Sequence, residues 1–214
     1  MALLNHGEAP VLGRLDAEQR AVRGASALFD LGDRGVMRLV GADTRRFCNS
    51  MFTNDWRTLG VGHGRHNAMT DNKGRLMGLL DGWMLSAESA LLVLDGMDPE
   101  DTYDRLDMYI IMDPIELTRL EHSHGVLHLA GPEAEQALVG LGLPLPEADV
   151  AALEDGWVLR NERLGVPGFD LVLPLAHAQE LWNTTSLVRA GAEAFDGLRI
   201  EQGPRPCLCG GTSA

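Results

Sequence analysis

The sequence predicts an α+β fold, and three observations predict it. A short apolar run, Val36 to Val40, stops at Gly41 and passes to Asp43 and Thr44, which suit a helix start. The same pattern returns at Val126 to Ala130, where Gly131, Pro132 and Glu133 open a second helix. Between the two lie strand-like runs separated by turns, and after the second comes an amphipathic stretch. Two strand-then-helix units of this kind suggest strands that pair in one sheet with helices against it.

The elements follow in order. Leu15 to Leu28 reads as a helix, with Ala17, Ala21, Val22 and Ala25 among charged neighbours. Phe29 to Gly35 is a turn-rich bridge into the Val36 to Val40 strand. Phe47 and Met51, four apart, share one face of a short helix that ends at Thr53-Asn54-Asp55. A link with Gly60, Gly62 and Gly64 leads to a hairpin turning at Asp71-Asn72-Lys73-Gly74. His66 to Met69, Arg75 to Leu85, Ala90 to Leu94 and Ile115 to Leu120 read as strands. Pro99 to Ile111 reads as a helix started by Asp98 or Pro99. Ala134, Ala137, Leu138 and Leu141 give a helical apolar face, and Gly142 to Pro146 is a loop. Strands follow at Trp157 to Arg160 and Phe169 to Pro174, with a turn at Gly165 to Gly168. Ala176 to Ala190 and Ala192 to Glu201 are the last helices, with Gly191 as a stop between them.

Composition narrows the function classes. The chain has 214 residues, enough for one large or two small domains with a core. A formal net charge of -13 repels phosphate backbones, which disfavours broad nucleic-acid binding. Arg45-Arg46, Arg65, Arg75 and Arg199 are candidates for a small anion, or are solvated surface groups. No run approaches a membrane span, and MALLNHGEAP lacks the features of a signal peptide, so a cytoplasmic setting is expected. Three cysteines do not suggest a disulfide framework.

Few residues carry a chemical signature on their own. Cys207-Leu208-Cys209 lacks the further ligands that zinc or a cluster needs. The pairs His63/His66 and His122/His124 have metal-like spacing but no partners in a recognised pattern, which favours solvated histidines. Gly60-Val61-Gly62-His63-Gly64 lacks the strand before and helix after that a phosphate loop requires, and no G-x-S-x-G elbow is present. No metal site is expected.

A series of short motifs goes further. Leu39-Val40-Gly41-Ala42-Asp43, Met51-Phe52-Thr53-Asn54-Asp55, Lys73-Gly74-Arg75-Leu76, Leu129 to Ala134, Gly168-Phe169-Asp170-Leu171, Leu181-Trp182 and Leu198 to Gly203 occur in an order that resembles the folate-binding domain of the glycine cleavage T-protein (aminomethyltransferase) superfamily. The nearer branch looks like the YgfZ-type folate-binding proteins, tied to iron–sulfur maintenance and tRNA modification. The resemblance implies a discontinuous folate-binding domain at 1–52 and 121–203, an inserted ferredoxin-like lobe at 53–120, and an irregular tail at 204–214. It implies a reduced folate, tetrahydrofolate, in a channel near Arg34, Met51, Asn54, Asn67 and Phe195. Met51 and Phe195 suit a flat pterin, and Asn54 and Asn67 suit its hydrogen-bonding edge. By residue type alone Met51 and Phe195 are equally plain core residues. The implied partners are the folate and iron–sulfur protein clients.

Two departures bear on activity. The aspartate that serves the aminomethyltransferases after the hairpin turn falls here on Gly78-Leu79, and Asp81 lies too far along to match. A pterin-contacting glutamate of the transferases falls near Val166. Glycine, leucine and valine cannot move a proton or stabilise a charge, so the expectation is folate binding with no catalytic residue, the alternatives being an aminomethyltransferase or other folate-dependent one-carbon transferase and a degenerate fragment or interaction module without ligand. The lysine-glycine-cysteine motif of the YgfZ-type branch and the family's C-terminal β-barrel are absent, and the tail reads as a truncation or a shifted frame. An uncovered barrel-facing surface would favour self-association.

Overall fold

The structure is a computed structural model that describes residues 12–32, 34–111 and 114–202. The expected tail, with Cys207 and Cys209, lies outside the described residues. Two sheets and six helices form among the described residues, in a mixed α and β architecture. The chain divides into two units, at 33/34 and again at 122/123.

The first unit opens with α1 (Leu12–Gly24) and β1 (Ala27–Asp30). The second unit then runs β2 (Val36–Val40), α2 (Thr44–Met51), β3 (Gly64–Thr70), β4 (Leu76–Ser86), β5 (Ser89–Asp95), α3 (Pro99–Tyr109) and β6 (Glu116–Arg119). The first unit resumes with β7 (His124–Ala130), α4 (Ala134–Gly140), β8 (Val150–Leu153), β9 (Gly156–Arg160), β10 (Gly168–Pro174), α5 (Leu175–Thr184), β11 (Val188–Ala190) and α6 (Ala192–Gln202).

Each unit has its own sheet. The second unit's order is β3-β4-β5-β2-β6, and the first unit's is β11-β1-β7-β10-β9-β8. The two strand-then-helix units therefore lie in different sheets, not in one as the sequence suggested. They are nonetheless equivalent. Both units run strand, helix, three strands, helix, strand, and both place those strands in the same spatial order, except that β1 enters between β7 and β11. β6 is antiparallel to β2; β11 is parallel to β1, which is antiparallel to β7, so the last strand has the same sense in both units. Three strands stand between the helices, where the ferredoxin-like order has two.

The equivalent turns have one cause. At Gly41 φ is +153° and a Cβ would stand 1.8 Å from the Pro114 carbonyl oxygen. At Gly131 φ is +141° and a Cβ would stand 2.3 Å from the Ala25 carbonyl oxygen. Only glycine allows that approach. The turn then aims a short helix back across its sheet. Met37 and Leu39 of β2 meet Phe47 and Cys48 of α2, with Leu80, Leu92 and Leu106, in one buried cluster. Leu127 and Leu129 of β7 meet Ala134 and Leu138 of α4, with Phe169, Leu171 and Ala178, in the other. The alternation of strand side chains sets these faces.

Several local expectations give way to tertiary pairing. The first helix stops at Gly24, because Ala27 to Asp30 pair with β7 on one side and β11 on the other. The helix expected to Ala190 stops at Thr184, where the Thr185 hydroxyl accepts from the Leu187 backbone N–H at 3.1 Å, and Val188 to Ala190 join β1. The edge strand β8 carried no clear sequence signal. The inserted part begins at 34 rather than 53, since β2 pairs with β5 and β6 and carries α2 with it. Asp43 precedes α2 without capping it, because its carboxylate meets Arg46 at 3.1 Å instead. Asp98 does cap α3, accepting from the Asp101 N–H at 2.9 Å, with Pro99 in the first turn.

On the sheet face away from α4 and α5, the first unit buries a charged cluster. Asp170 of β10 stands opposite His128 of β7 in the register. His128 Nδ1 lies 2.8 Å from Asp170 Oδ1, Arg163 Nη2 donates to Oδ2 at 2.6 Å, and Asn161 Nδ2 donates to Oδ2 at 2.7 Å. These bonds tie the loop after β9 to the centre of the sheet. Burial pushes the Asp170 carboxyl up, but the Arg163 charge and the hydrogen bonds from His128 and Arg163 outweigh it and hold the group well below the usual carboxylate range.

A depressed carboxylate stabilises the fold above its unfolded value and loses that contribution as pH falls. Asp170→Asn should therefore cost about 3–5 kcal/mol near neutral pH, because Arg163 is left buried without its counter-charge. The variant should also show a shallower stability loss than the parent below about pH 4. Urea titrations at neutral and acid pH test both, and parallel pH profiles would refute the assignment. Gly131→Ala should cost at least about 1–3 kcal/mol through backbone strain. Gly140→Ala, at a helical position with open space around its Cβ, should be neutral or stabilising by up to about 1 kcal/mol. The melting temperature should fall in the Gly131 variant and should not fall in the Gly140 variant.

Candidate functional site

The chain after α2 builds the best-defined polar region. Phe52 bridges to Met69, and the Thr53 N–H donates to the Ala68 carbonyl at 3.1 Å. The Thr53 hydroxyl returns the bond, accepting from the Ala68 N–H at 3.0 Å. Thr53 to Asp55 thus cover the open edge of β3, as an unpaired edge requires.

Asn54 lies in this edge segment. Its Nδ2 donates to the His66 carbonyl at 3.0 Å, and its Oδ1 accepts from the Asp55 N–H at 3.0 Å. Asn67 sits on β3 and is nearly fully buried. Its Nδ2 donates to the Arg65 carbonyl at 2.9 Å, and its Oδ1 accepts from Trp56 Nε1 at 3.0 Å. Trp56 itself is fully buried, and its ring lies 2.5 Å from where a Gly82 Cβ would be. Asn67 is therefore the hydrogen-bonding post of a core tryptophan. Met51, at the end of α2, is half-buried against the same cluster.

The opposite face of this sheet carries different chemistry. β3, β4 and β5 align His66 with Asp81 and Val93 in one row, and Ala68 with Leu79 and Asp95 in the next. Residues in a row share a face, as do residues two apart. His66 Nδ1 contacts the Asp81 carboxylate, and Arg34 forms an ion pair with Asp95. The Asp81 carboxylate is buried whereas the His66 ring is one-third exposed, at 33%. A buried carboxylate beside one ring nitrogen orients the imidazole and sets its tautomer. Leu79, 49% exposed, lies in the same two rows.

The five expected residues are thus divided. Arg34 lies on the face with His66 and Asp81. Met51 and Asn67 lie on the helix-covered side, and Asn54 lies at the edge. Phe195, on α6, belongs to the first unit, where it meets Phe29 and His128 edge-on at 5.4 and 5.8 Å. It is buried at 2% exposure, so in its own unit it is a core residue.

Sequence reasoning missed the His66–Asp81 pair. A two-residue turn at Asn72-Lys73 would set His66 opposite Leu79, but Asp71 bonds Arg75 across a three-residue turn and the strands shift register by one more at Met69/Thr70, which together move its partner to Asp81. It also missed the Asp170 cluster, whose members come from β7, β10 and a loop. The position expected to lack a catalytic carboxylate is well defined: Gly78 lies under Met97, whose Cγ would stand 2.0 Å from an added Cβ. Cys48 offers no nucleophile, since burial pushes its thiol up to about 12 and it stays protonated. Among the described residues no cluster of metal-ligating side chains forms, and no helix is long and apolar enough to cross a membrane.

Comparison with known proteins places this arrangement. Residues 8–207 match the GCVT N-terminal domain family. An aminomethyltransferase of Parafrankia sp. is 30% identical over 200 residues, covering 87% of this chain and 54% of that protein. An aminomethyltransferase of Frankia alni is 27% identical over a similar span, again 87% and 54%. The chain thus spans about half the length of these curated relatives. The crystal structure of the glycine cleavage system aminomethyltransferase T from Bartonella henselae superposes with a TM-score of 0.80 at 22% identity, over 89% of this chain and 54% of that one. That likeness is one of fold. The chain belongs to the GCVT N-terminal domain family, within the glycine cleavage T-protein superfamily.

Proposed function

We propose that this chain binds a reduced folate, tetrahydrofolate, and does not carry out aminomethyl transfer. Family membership over residues 8–207 supports the folate. The single observation that supports the second half is on β4, where Met97 fills the space above Gly78, at the pair, Gly78-Leu79, that the resemblance aligns with the transferases' carboxylate. No side chain at either position can exchange a proton.

The residues present fit such a ligand. A pterin is flat, with donors and acceptors along its edge. The face with His66–Asp81, Arg34–Asp95 and the exposed Leu79 offers oriented polar groups beside an apolar surface. Arg34 and His66 would bind the polar edge, and Asn54 would hold the strand that carries His66. Asn67 acts indirectly, through Trp56. Met51 and Phe195 are each tested by their own variant.

The tie to iron–sulfur clients or tRNA modification rests on the same missing carboxylate and on the order of the sequence motifs. The relatives' own name, aminomethyltransferase, gives the competing reading, with a group transfer through some other residue.

Titration with 5-formyl-tetrahydrofolate, followed by melting temperature and tryptophan fluorescence, should give a saturable rise, because a ligand stabilises the state that it binds. Arg34→Ala and His66→Ala should each weaken binding about tenfold or more, Met51→Ala and Phe195→Ala, at residues off that face, should change it less than about threefold, and Asn67→Ala should lower the melting temperature of the free protein as well. No shift at millimolar ligand would overturn folate binding. Turnover with tetrahydrofolate and an aminomethylated donor should be undetectable, and a measurable rate would restore the transferase reading.

A further inference from the structure

The first unit carries an open groove of about 630 Å³ away from the sheet face that holds the Asp170 cluster. Its floor is apolar: Leu143 from the loop after α4, Leu153 from β8, Leu173 from β10 and Leu181 from α5. Leu143, Leu153 and Leu181 are only partly buried, on the rim of the core under α4 and α5. Its lips are acidic. Glu154 and Asp155 form the β8–β9 turn on one side, and Glu180 stands on α5 on the other, all exposed. His177 and Thr184 complete the α5 lip, and no lysine or arginine lines the groove. Asp155 lies 3.2 Å from His124 Nε2, which leaves most of its carboxylate in solvent.

We propose that this groove docks a basic segment of a partner protein, one that inserts a leucine-like or aromatic side chain between flanking lysines or arginines. Burying an apolar side chain on the leucine floor supplies the affinity, and the three lip carboxylates select cationic neighbours on both sides of it. Charge excludes the other occupants. A second copy would bring the same carboxylates together, and the chain's net charge of -13 repels nucleic acid and anionic lipid. The site is independent of the folate, since all of its residues belong to the first unit and none is among the proposed ligand contacts.

The probe is a fluorescently labelled helical peptide of lysine and leucine, with a glutamate and leucine peptide as control. Anisotropy is read at an ionic strength of about 0.15 M, where exposed charges more than about 8 Å apart are largely screened. The lysine peptide should bind saturably and the glutamate peptide should not. The combined variant Glu154→Gln, Asp155→Asn, Glu180→Gln should weaken binding at least tenfold. Leu143→Ser and Leu181→Ser, each checked for an intact melting transition, should weaken it at least fivefold. Several outcomes overturn the proposal: no binding of the lysine peptide, equal binding by the groove variants, or displacement by spermine as effective as by unlabelled peptide. The last two would mean that the acidic surface as a whole attracts cations. A concentration-dependent dimer in sedimentation, lost in the leucine variants, would assign the groove to a second copy instead.

Discussion

At Gly41 and again at Gly131, a carbonyl oxygen occupies the space where a side chain would begin. That crowding is possible only without a Cβ, and it turns a strand directly into a helix that lies back across its own sheet. Everything else in each unit follows from the return. The helix covers one face, so alternate residues of the strand must be apolar, as Met37 and Leu39 are in one unit and Leu127 and Leu129 in the other. The next three strands then run from the sheet's edge inward to the first strand, and the last strand closes the other side. One local geometry, used twice, sets the topology of both sheets. The extra strand β1 extends the second use by pairing between β7 and β11 without altering the sense of either.

The face that each helix leaves uncovered is where polar chemistry collects, and the two units use it differently. In the first, Asp170, Arg163, His128 and Asn161 are sealed from water, with the carboxylate meeting all three partners. A buried charge tolerates no loss of a partner, so such a cluster fixes backbone positions and leaves little freedom to react. In the second, the carboxylate of the His66–Asp81 pair is buried but the imidazole reaches solvent. That asymmetry is what a ligand-facing group needs: a fixed orientation behind and an accessible nitrogen in front.

The difference explains which parts could be read from the sequence. Strand and helix signals were clear where local propensity and tertiary pairing agree, as in β2, β4, α3 and α6. They misled at Ala27 to Asp30 and at Val188 to Ala190. There, alanine and leucine or valine continue a helical pattern, but sheet pairing with a distant strand wins. The repeat was visible as two motifs, whereas its division between two sheets was not, because nothing local says which strands will meet. The site was legible in part. Arg34 lies on the face that carries the ionic pairs. Asn67, one residue from His66, lies on the opposite face, as strand alternation requires, and bonds a core tryptophan. His66 and Asp81 were both considered singly, and the bulge at Met69/Thr70 that joins them has no signature in residue types.

The same separation of backbone from side chain bears on function. A sheet is held by main-chain hydrogen bonds and by an apolar face, and neither depends on what stands at 78 and 79. β4 pairs with β3 at Gly78 and Leu79 and with β5 at Leu79 through the main chain. Gly78 even gains a packing partner in Met97. A fold shared with an aminomethyltransferase at a TM-score of 0.80 therefore does not by itself carry that protein's chemistry. Asp81 stands two positions beyond Leu79 on the same strand and on the same face. The Asp81 carboxylate is buried and meets His66 Nδ1. Among the described residues, that face carries the His66–Asp81 and Arg34–Asp95 pairs, with Arg38 in the row of Trp83 and Leu91 and Glu116 opposite Val40. Such a surface offers hydrogen-bond donors and acceptors side by side, which is what the edge of a flat, polar-rimmed ring requires.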